Sequence, residues 1–599
     1  MLKPCILTLS LCTALAVSTQ AAPAVAIRLP ERFRVLTDQR FDLRVEATGV
    51  SDPNSTLSVF IDGKPFTASF GAPEVTTNND NDPATLDKAW VFRAISLSNA
   101  GVIALSARVS DSGGDGDALT HVGVQDFKIN GNKNVILFIG DAMGTAYRDV
   151  GRIVAQSTNN RFREGFFDEL QEMDKLPVTG MAMTYSSDRI VPDSAPTATA
   201  WSTGNKTIEG ALGVFPDNTD FKAGTSQTSK QYALDNPRIE TLWEYLKRKH
   251  GYKTGIVTTS EVTDATPAGE GGHTLLRGLQ YDLAKQYVDG GFGDGPTFDV
   301  IMGGAKERFD ARTFSNSGDT RNLPAELQAQ GYTYINTRTQ LNALPATGAP
   351  GGKLIGLFRT GNMNVAYDKL GLVRPLDEIT PPTGSPISFG GFTDQPFLDE
   401  MTAKAIATLS SNGSPFILMV EGASVDKQSH SNHAAGQIWD TIELDKAIGV
   451  GRAFAATTNG NRQKNDTLVI VTADHDQSLH VLGLVDVTVL NATQNVRNQQ
   501  AFTGVRGEVD GFPDYADANG DRYPENTNRY RISIGYRTGG HTGSSVPVTA
   551  EGPGALLFTG YYDQTDIFFK MARVLSSNTQ RLDEALEAKN AVDTIDQNY

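Results

Sequence analysis

Three runs of apolar residues, each leading into an acid, constrain this chain more than any other feature. Val135–Ile139 leads through Gly140 into Asp141, Phe416–Val420 into Glu421, and Leu468–Val471 through Thr472 and Ala473 into Asp474 and His475. Apolar runs without polar alternation suit strands buried on both faces. Helix-like stretches between them, such as Glu240–Lys249 and Met401–Leu409, imply a mostly parallel sheet sandwiched by helices. Ligands of such sheets bind beyond the carboxyl ends of the strands, so the three acids fall on one rim. A single acid after a strand usually caps a helix. Three together, one beside a histidine, would repel one another strongly without a cation. The expectation over residues 131–599 is therefore an α/β domain with metal at its strand ends.

A chain of 599 residues exceeds what one core usually organises, and its beginning reads differently. Lys3, the apolar run Ile6–Val17 and the small residue Ala21 fit an export signal over residues 1–21. Such a chain is expected in the periplasm or outside the cell. Both cysteines, Cys5 and Cys12, fall inside that segment, so disulfides would not brace the mature protein. From 22 to 130 the period is two. Phe41, Leu43 and Val45 alternate with Asp42, Arg44 and Glu46, and Ile103, Leu105, Ala107 and Val109 repeat the pattern. This predicts a small all-β, Ig-like sandwich, serving as a spacer or surface-binding module. Residues 484–530 read as an insertion, in which Asp514, Asp517, Asn519 and Asp521 could form a calcium loop, though a solvated turn is the plainer reading. A peripheral helix is expected over 580–595.

The net charge of -16 excludes a broad nucleic-acid surface and requires any phosphate site to make its own positive potential locally. No stretch beyond the signal approaches a membrane span in length. His430 follows Asp426 by four residues, which on a helix places both on one face; His433 competes by spacing. His541 stands among glycines. Mixed nitrogen and oxygen ligands suit zinc, and oxygen alone suits magnesium. Asp193-Ser194 precedes a helix-like segment. The pair has the form of an N-cap, and the same geometry offers Ser194 to an anion at the helix N-terminus. Arg277, thirteen residues after Asp264, can clamp two phosphoryl oxygens.

These residues, in this order, resemble the bacterial alkaline phosphatase family. The match runs from Asp141 through Asp193-Ser194-Ala195 and Thr199–Gly204, Asp264–Pro267 with Arg277, Glu421 with Asp426-Lys427 and His430, Asp474-His475, His541–Ser544 and Asp563–Asp566. The resemblance implies hydrolysis of small phosphate monoesters at alkaline pH through a phosphoserine at Ser194. Asp426, His430 and His541 would hold one zinc, and Asp141, Asp474 and His475 a second. Asp141, Thr266 and Glu421 would hold a magnesium. Arg277 would clamp the phosphate and be held by Asp193, while Asp264 and Lys427 form the pair found in magnesium-type relatives, with Lys427 also facing the substrate. A homodimer is the partner the resemblance leaves open. The alternatives are a phosphodiesterase on the same two-metal scaffold and a non-catalytic secreted surface protein.

Overall fold

The apolar runs do become buried strands of one large sheet. The computed structural model describes residues 21–65, 71–77, 86–131, 133–156, 169–218, 233–310, 320–370, 394–459, 466–486, 509–510 and 530–577. Its ten-stranded sheet is built from β1 (Asn134–Gly140), β2 (Val178–Met183), β3 (Lys253–Glu261), β4 (Val300–Gly304), β5 (Thr333–Ile335), β6 (Leu354–Leu357), β7 (Phe416–Gly422), β8 (Thr467–Thr472), β9 (Val546–Glu551) and β10 (Gly560–Asp563). The spatial order is β5-β6-β4-β3-β7-β1-β8-β9-β2-β10. All neighbours from β5 to β8 are parallel, and only β9 runs against its two partners. The chain enters β9 from the strand Tyr530–Thr542 through a three-residue link, residues 543–545, too short for a crossover.

Register makes the rim. Ile139 on β1 pairs with Glu421 on β7 and with Thr472 on β8, so Asp141, Glu421 and Asp474 emerge at nearly one level. Helices cover both faces. The predicted helix at Glu240–Lys249 is Leu242–His250, opened by a capping box in which Thr241 and Glu244 satisfy each other's backbone N–H groups. The one at Met401–Leu409 is Leu398–Ser410.

Before residue 131 the chain forms a four-stranded sheet and a five-stranded sheet. Their inward residues, among them Phe41, Leu43, Val45, Ile103, Leu105, Val122 and Val124, share one core with Phe215 and Ile239 of the later chain. Asp42, Arg44 and Glu46 hold the polar positions of the period-two pattern. All three are buried. Asp42 pairs with Arg93 (2.9 Å) and Arg238 (2.8 Å), and Arg44 with Glu46 (2.6 Å) and Asp217 (3.1 Å). Arg238 and Asp217 come from far along the chain, so these ion pairs fasten the N-terminal sheets to the later chain at those two residues.

Residues 1–20 of the expected signal, the calcium-loop residues 514–521 and the tail helix at 580–595 lie outside the described residues. At the edges of the expected insertion, residues 484–486 and 530 belong to a hairpin of Asp476–Asp486 with Tyr530–Thr542. Among the described residues, no helix is long and apolar enough to cross a membrane.

Candidate active site

Ser194 opens the ten-residue helix α1 (Ser194–Thr203), every residue of which is buried. Asp193 is its N-cap. Its carboxylate accepts from Ala195 N (3.0 Å) and Gly210 N (3.3 Å). Capping therefore belongs to Asp193, and the Ser194 hydroxyl is left for another purpose. Its Oγ lies 3.2 Å from His475 Nε2, at the positive end of the helix dipole.

His475 sits where β8 ends. Its Nε2 lies 3.1 Å from Asp474 Oδ2 and 3.6 Å from Asp141 Oδ1. Asp474 uses its other oxygen to accept from Ala142 N (2.9 Å) and His475 N (2.8 Å). Asp141 Oδ1 and Asp474 Oδ2 are buried with no hydrogen-bond partner among the described residues. Buried carboxylate oxygens without donors are costly unless a cation meets them, and these converge with His475 within 4.8 Å. Burial, then Asp426, Asp474 and Glu421, pushes the Asp141 carboxyl well above its usual range. Burial likewise raises Glu421 to about 8, against the hydrogen bond from Thr258 Oγ1 (2.5 Å). Burial lowers His475 to about 4, which keeps its imidazole neutral, the form that binds metal.

A second group adjoins the first. Asp426 and His430 lie on α3 (Ser424–His430), and the four-residue spacing puts His430 Nε2 3.3 Å from Asp426 Oδ2. His541 Nε2 approaches Asp426 Oδ1 at 3.4 Å and His430 Nε2 at 3.3 Å. Both rings are oriented from behind, His430 Nδ1 donating to Gly539 O (2.7 Å) and His541 Nδ1 to Pro192 O (2.8 Å). With Nδ1 protonated, each Nε2 offers a lone pair toward Asp426, the tautomer that metal-binding histidines are held in. The His475 and His541 rings stack at 3.5 Å, which joins the two groups. His433, the competitor by spacing, accepts from Gly436 N (3.0 Å) in the turn into α4 (Ala434–Asn459). The donor set thus fits two cations.

Arg277 spans Asp193 (3.2 Å) and Asp264 (2.8 Å), and Lys427 also reaches Asp264 (2.7 Å). Burial would raise the Asp264 carboxyl, but Lys427 and Arg277 outweigh it and hold it well below its usual range. Thr266 is buried in the short helix α2 (Ala265–Ala268) and makes no side-chain hydrogen bond among the described residues. The bond to Glu421 comes instead from Thr258, its register partner on β3. Reading for function missed Thr258, and also Gln477, whose amide donates to Asp426 Oδ1 (2.6 Å). A signal for Thr258 was available in the polar triplet Thr258-Thr259-Ser260, which follows the apolar pair Ile256-Val257 in a strand buried over that stretch. Gln477 left no such mark.

A family model described as alkaline phosphatase matches residues 132–577. The alkaline phosphatase of Escherichia coli is 32% identical over 470 residues, covering 74% of this chain and 86% of that protein. Alkaline phosphatase H of Pseudomonas aeruginosa is 31% identical over 466 residues, covering 74% and 85%. The solved structure of Thermus thermophilus alkaline phosphatase shares the fold, with a TM-score of 0.52 at 21% identity over 76% of this chain and 96% of that one. The chain belongs to the alkaline phosphatase family. It is a phosphatase that hydrolyses phosphate monoesters on a metal-binding scaffold.

Proposed function

We propose that this member of the alkaline phosphatase family is exported and works at alkaline pH, transferring the phosphoryl group of a small monoester first to Ser194 and then to water. The observation that carries this reading is the Ser194 hydroxyl, free of capping duty and 3.2 Å from His475 Nε2, at the junction of two cation-fitting groups. Zinc held by Asp426, His430 and His541, zinc held by Asp141, Asp474 and His475, and magnesium held by Asp141, Thr266 and Glu421 would supply, when bound, the positive charge that polarises the phosphate and lowers the hydroxyl's pKa.

The chain's own residues set the geometry. The Ser194 Oγ–P bond forms as the P–O bond to the alcohol breaks in line with it, and the alcohol leaves with a proton. Water oxygen then bonds to phosphorus, Ser194 Oγ departs, and inorganic phosphate is released. Arg277 uses two of its five donors on Asp193 and Asp264, which fixes the guanidinium and leaves about three for phosphoryl oxygens. Lys427, held by Asp264, adds positive charge on the same side. The charge of Asp264 thereby orients two cations and is neutralised by them.

The test is turnover of p-nitrophenyl phosphate by the exported protein, before and after chelation, with zinc and magnesium returned separately. Recovery is expected to need zinc and to be enhanced by magnesium. A faster rate on bis(p-nitrophenyl) phosphate would replace this reading with a diesterase. Arg277→Ala is expected to lower kcat/KM by about 10- to 100-fold, the worth of charged hydrogen bonds, mainly through a higher KM in steady-state kinetics.

A further inference from the structure

Residues 27–34 of the N-terminal sheets lie against the catalytic part of the chain, and Arg34 fixes them there. Its N–H donates to Asn205 Oδ1 (3.0 Å) and its carbonyl accepts from Asn205 Nδ2 (2.7 Å). Its guanidinium donates to Asp566 (2.8 Å) and Thr565 (3.0 Å) and lies 4.2 Å from the centroid of the Phe569 ring. The wall so anchored faces β2, the residues just after it and β10 across a cavity of about 840 Å³, lined among others by Arg32, Tyr185, Lys206, Tyr561 and Asp563. A second cavity of about 570 Å³ shares Tyr185 and Tyr561 with the first and continues to Ile190, Gly543 and Ser545. Gly543 is two residues beyond His541, whose Nδ1 is bonded to Pro192 O. The passage therefore runs from the edge of the catalytic site to the N-terminal sheets.

Its lining indicates what it takes. Tyr561 is 64% exposed with its hydroxyl tethered to Ser545, and Tyr185 is 41% exposed with the Lys206 ammonium 4.2 Å from its ring centroid. Two flat rings are thus presented open. Lys206 is matched by Asp563 (3.3 Å) and Arg34 by Asp566. Arg32, held at φ 59°, makes no ion pair or hydrogen bond among the described residues and acts electrostatically on the Tyr185 phenol. The lining is nearly balanced in charge, Arg28, Arg32, Arg34 and Lys206 against Glu31, Asp563 and Asp566, and with Arg28, Arg34 and Lys206 already paired to acids it offers no concentrated positive potential to a chain of phosphates. An apolar chain would strip water from these polar groups without replacing it. A neutral, hydroxyl-rich body with flat ring faces satisfies both conditions, its faces against tyrosine and its hydroxyls toward groups such as Arg32 and Ser187.

We propose that this cleft is a leaving-group subsite for an oligosaccharide carrying the phosphate monoester at its end. The N-terminal sheets supply one wall of it. The inference rests on the phosphomonoesterase reading above, and its test separates the two. The full chain, loaded with zinc and magnesium, is assayed on maltotetraose bearing one terminal phosphate, on glucose 6-phosphate, on a 5′-phosphorylated tetranucleotide and on p-nitrophenyl phosphate. The expected kcat/KM on the tetrasaccharide exceeds that on glucose 6-phosphate by about 10-fold or more. Tyr561→Ala, and Arg32→Gly, which tolerates the positive φ, are each expected to bring that ratio close to one. A ratio near one in the unsubstituted protein overturns the subsite while leaving the phosphatase intact. A ratio that survives both substitutions, or a preference for the tetranucleotide, overturns it too. Failure to hydrolyse even p-nitrophenyl phosphate overturns the underlying reading and the subsite with it.

Discussion

Ser194→Ala is expected to lower kcat on p-nitrophenyl phosphate by on the order of a thousand-fold or more while leaving a measurable remainder. The loss is large because this hydroxyl would form the covalent bond to phosphorus, and no neighbouring side chain can replace it. His475, whose Nε2 lies 3.2 Å from the Ser194 Oγ, is buried and would spend that nitrogen's lone pair on a metal ion. The remainder persists because Arg277, Lys427 and the two cation-fitting groups do not depend on Ser194 for their positions. Folding should barely change, since Asp193 and not Ser194 caps α1. A melting temperature within about 1–2 °C of the parent would confirm that activity alone was lost. Acid quench with radiolabelled substrate should trap phosphate on the parent protein and none on Ser194→Ala. Absence of label on the parent would exclude the covalent route whatever the kinetics of the variant.

Burial and local spacing made part of this molecule legible in its sequence. Val135–Ile139, Phe416–Val420 and Leu468–Val471 were legible as strands because both their faces are covered, which removes every polar position. The α3 pair Asp426 and His430 was legible because a four-residue step is local. What was not legible depended on residues far apart. His430 reaches Asp426 and His541, and Gly539, more than a hundred residues away, orients its ring. Asp42, Arg44 and Glu46 obey period two, yet their face is buried because Arg238 and Asp217 close over it. Alternation reports that a strand has two unlike faces and not what lies on the polar one. The same holds for Gln477, whose bond to Asp426 arises from the hairpin that carries it past α3. The antiparallel β9 is a further case, set by the short link after His541 and not by its own residues.

Removing the metals is expected to abolish turnover and to destabilise the protein in a pH-dependent way. Ligands at about a thousand times their dissociation constant contribute roughly 4 kcal/mol per site. With an unfolding entropy near 2.1 cal/mol/K per residue, a domain of roughly 450 residues should lose about 4 °C of melting temperature per vacated site. The pH dependence comes from the repelling acids. In the metal-free chain burial raises the Glu421 carboxyl to about 8, and Asp141 shifts the same way. Burial would lower His541, but Asp426 lifts it to about 8. A group whose folded pKa is raised contributes stability below its unfolded value and loses it as pH rises through the folded one. His475 runs oppositely, its lowered pKa of about 4 costing stability only as pH falls below about 6.5. Between pH 6.5 and 8 the resolved shifts of these groups therefore act in one direction. The melting temperature of the chelated protein should fall across that interval, while that of the loaded protein, whose carboxylates stay ionised against bound cations, should not. Differential scanning calorimetry of both forms at pH 6.5, 7.2 and 8 measures this directly. Parallel slopes would mean that Asp141 and Glu421 carry their charge without help from metal, and the rim would then require no cation.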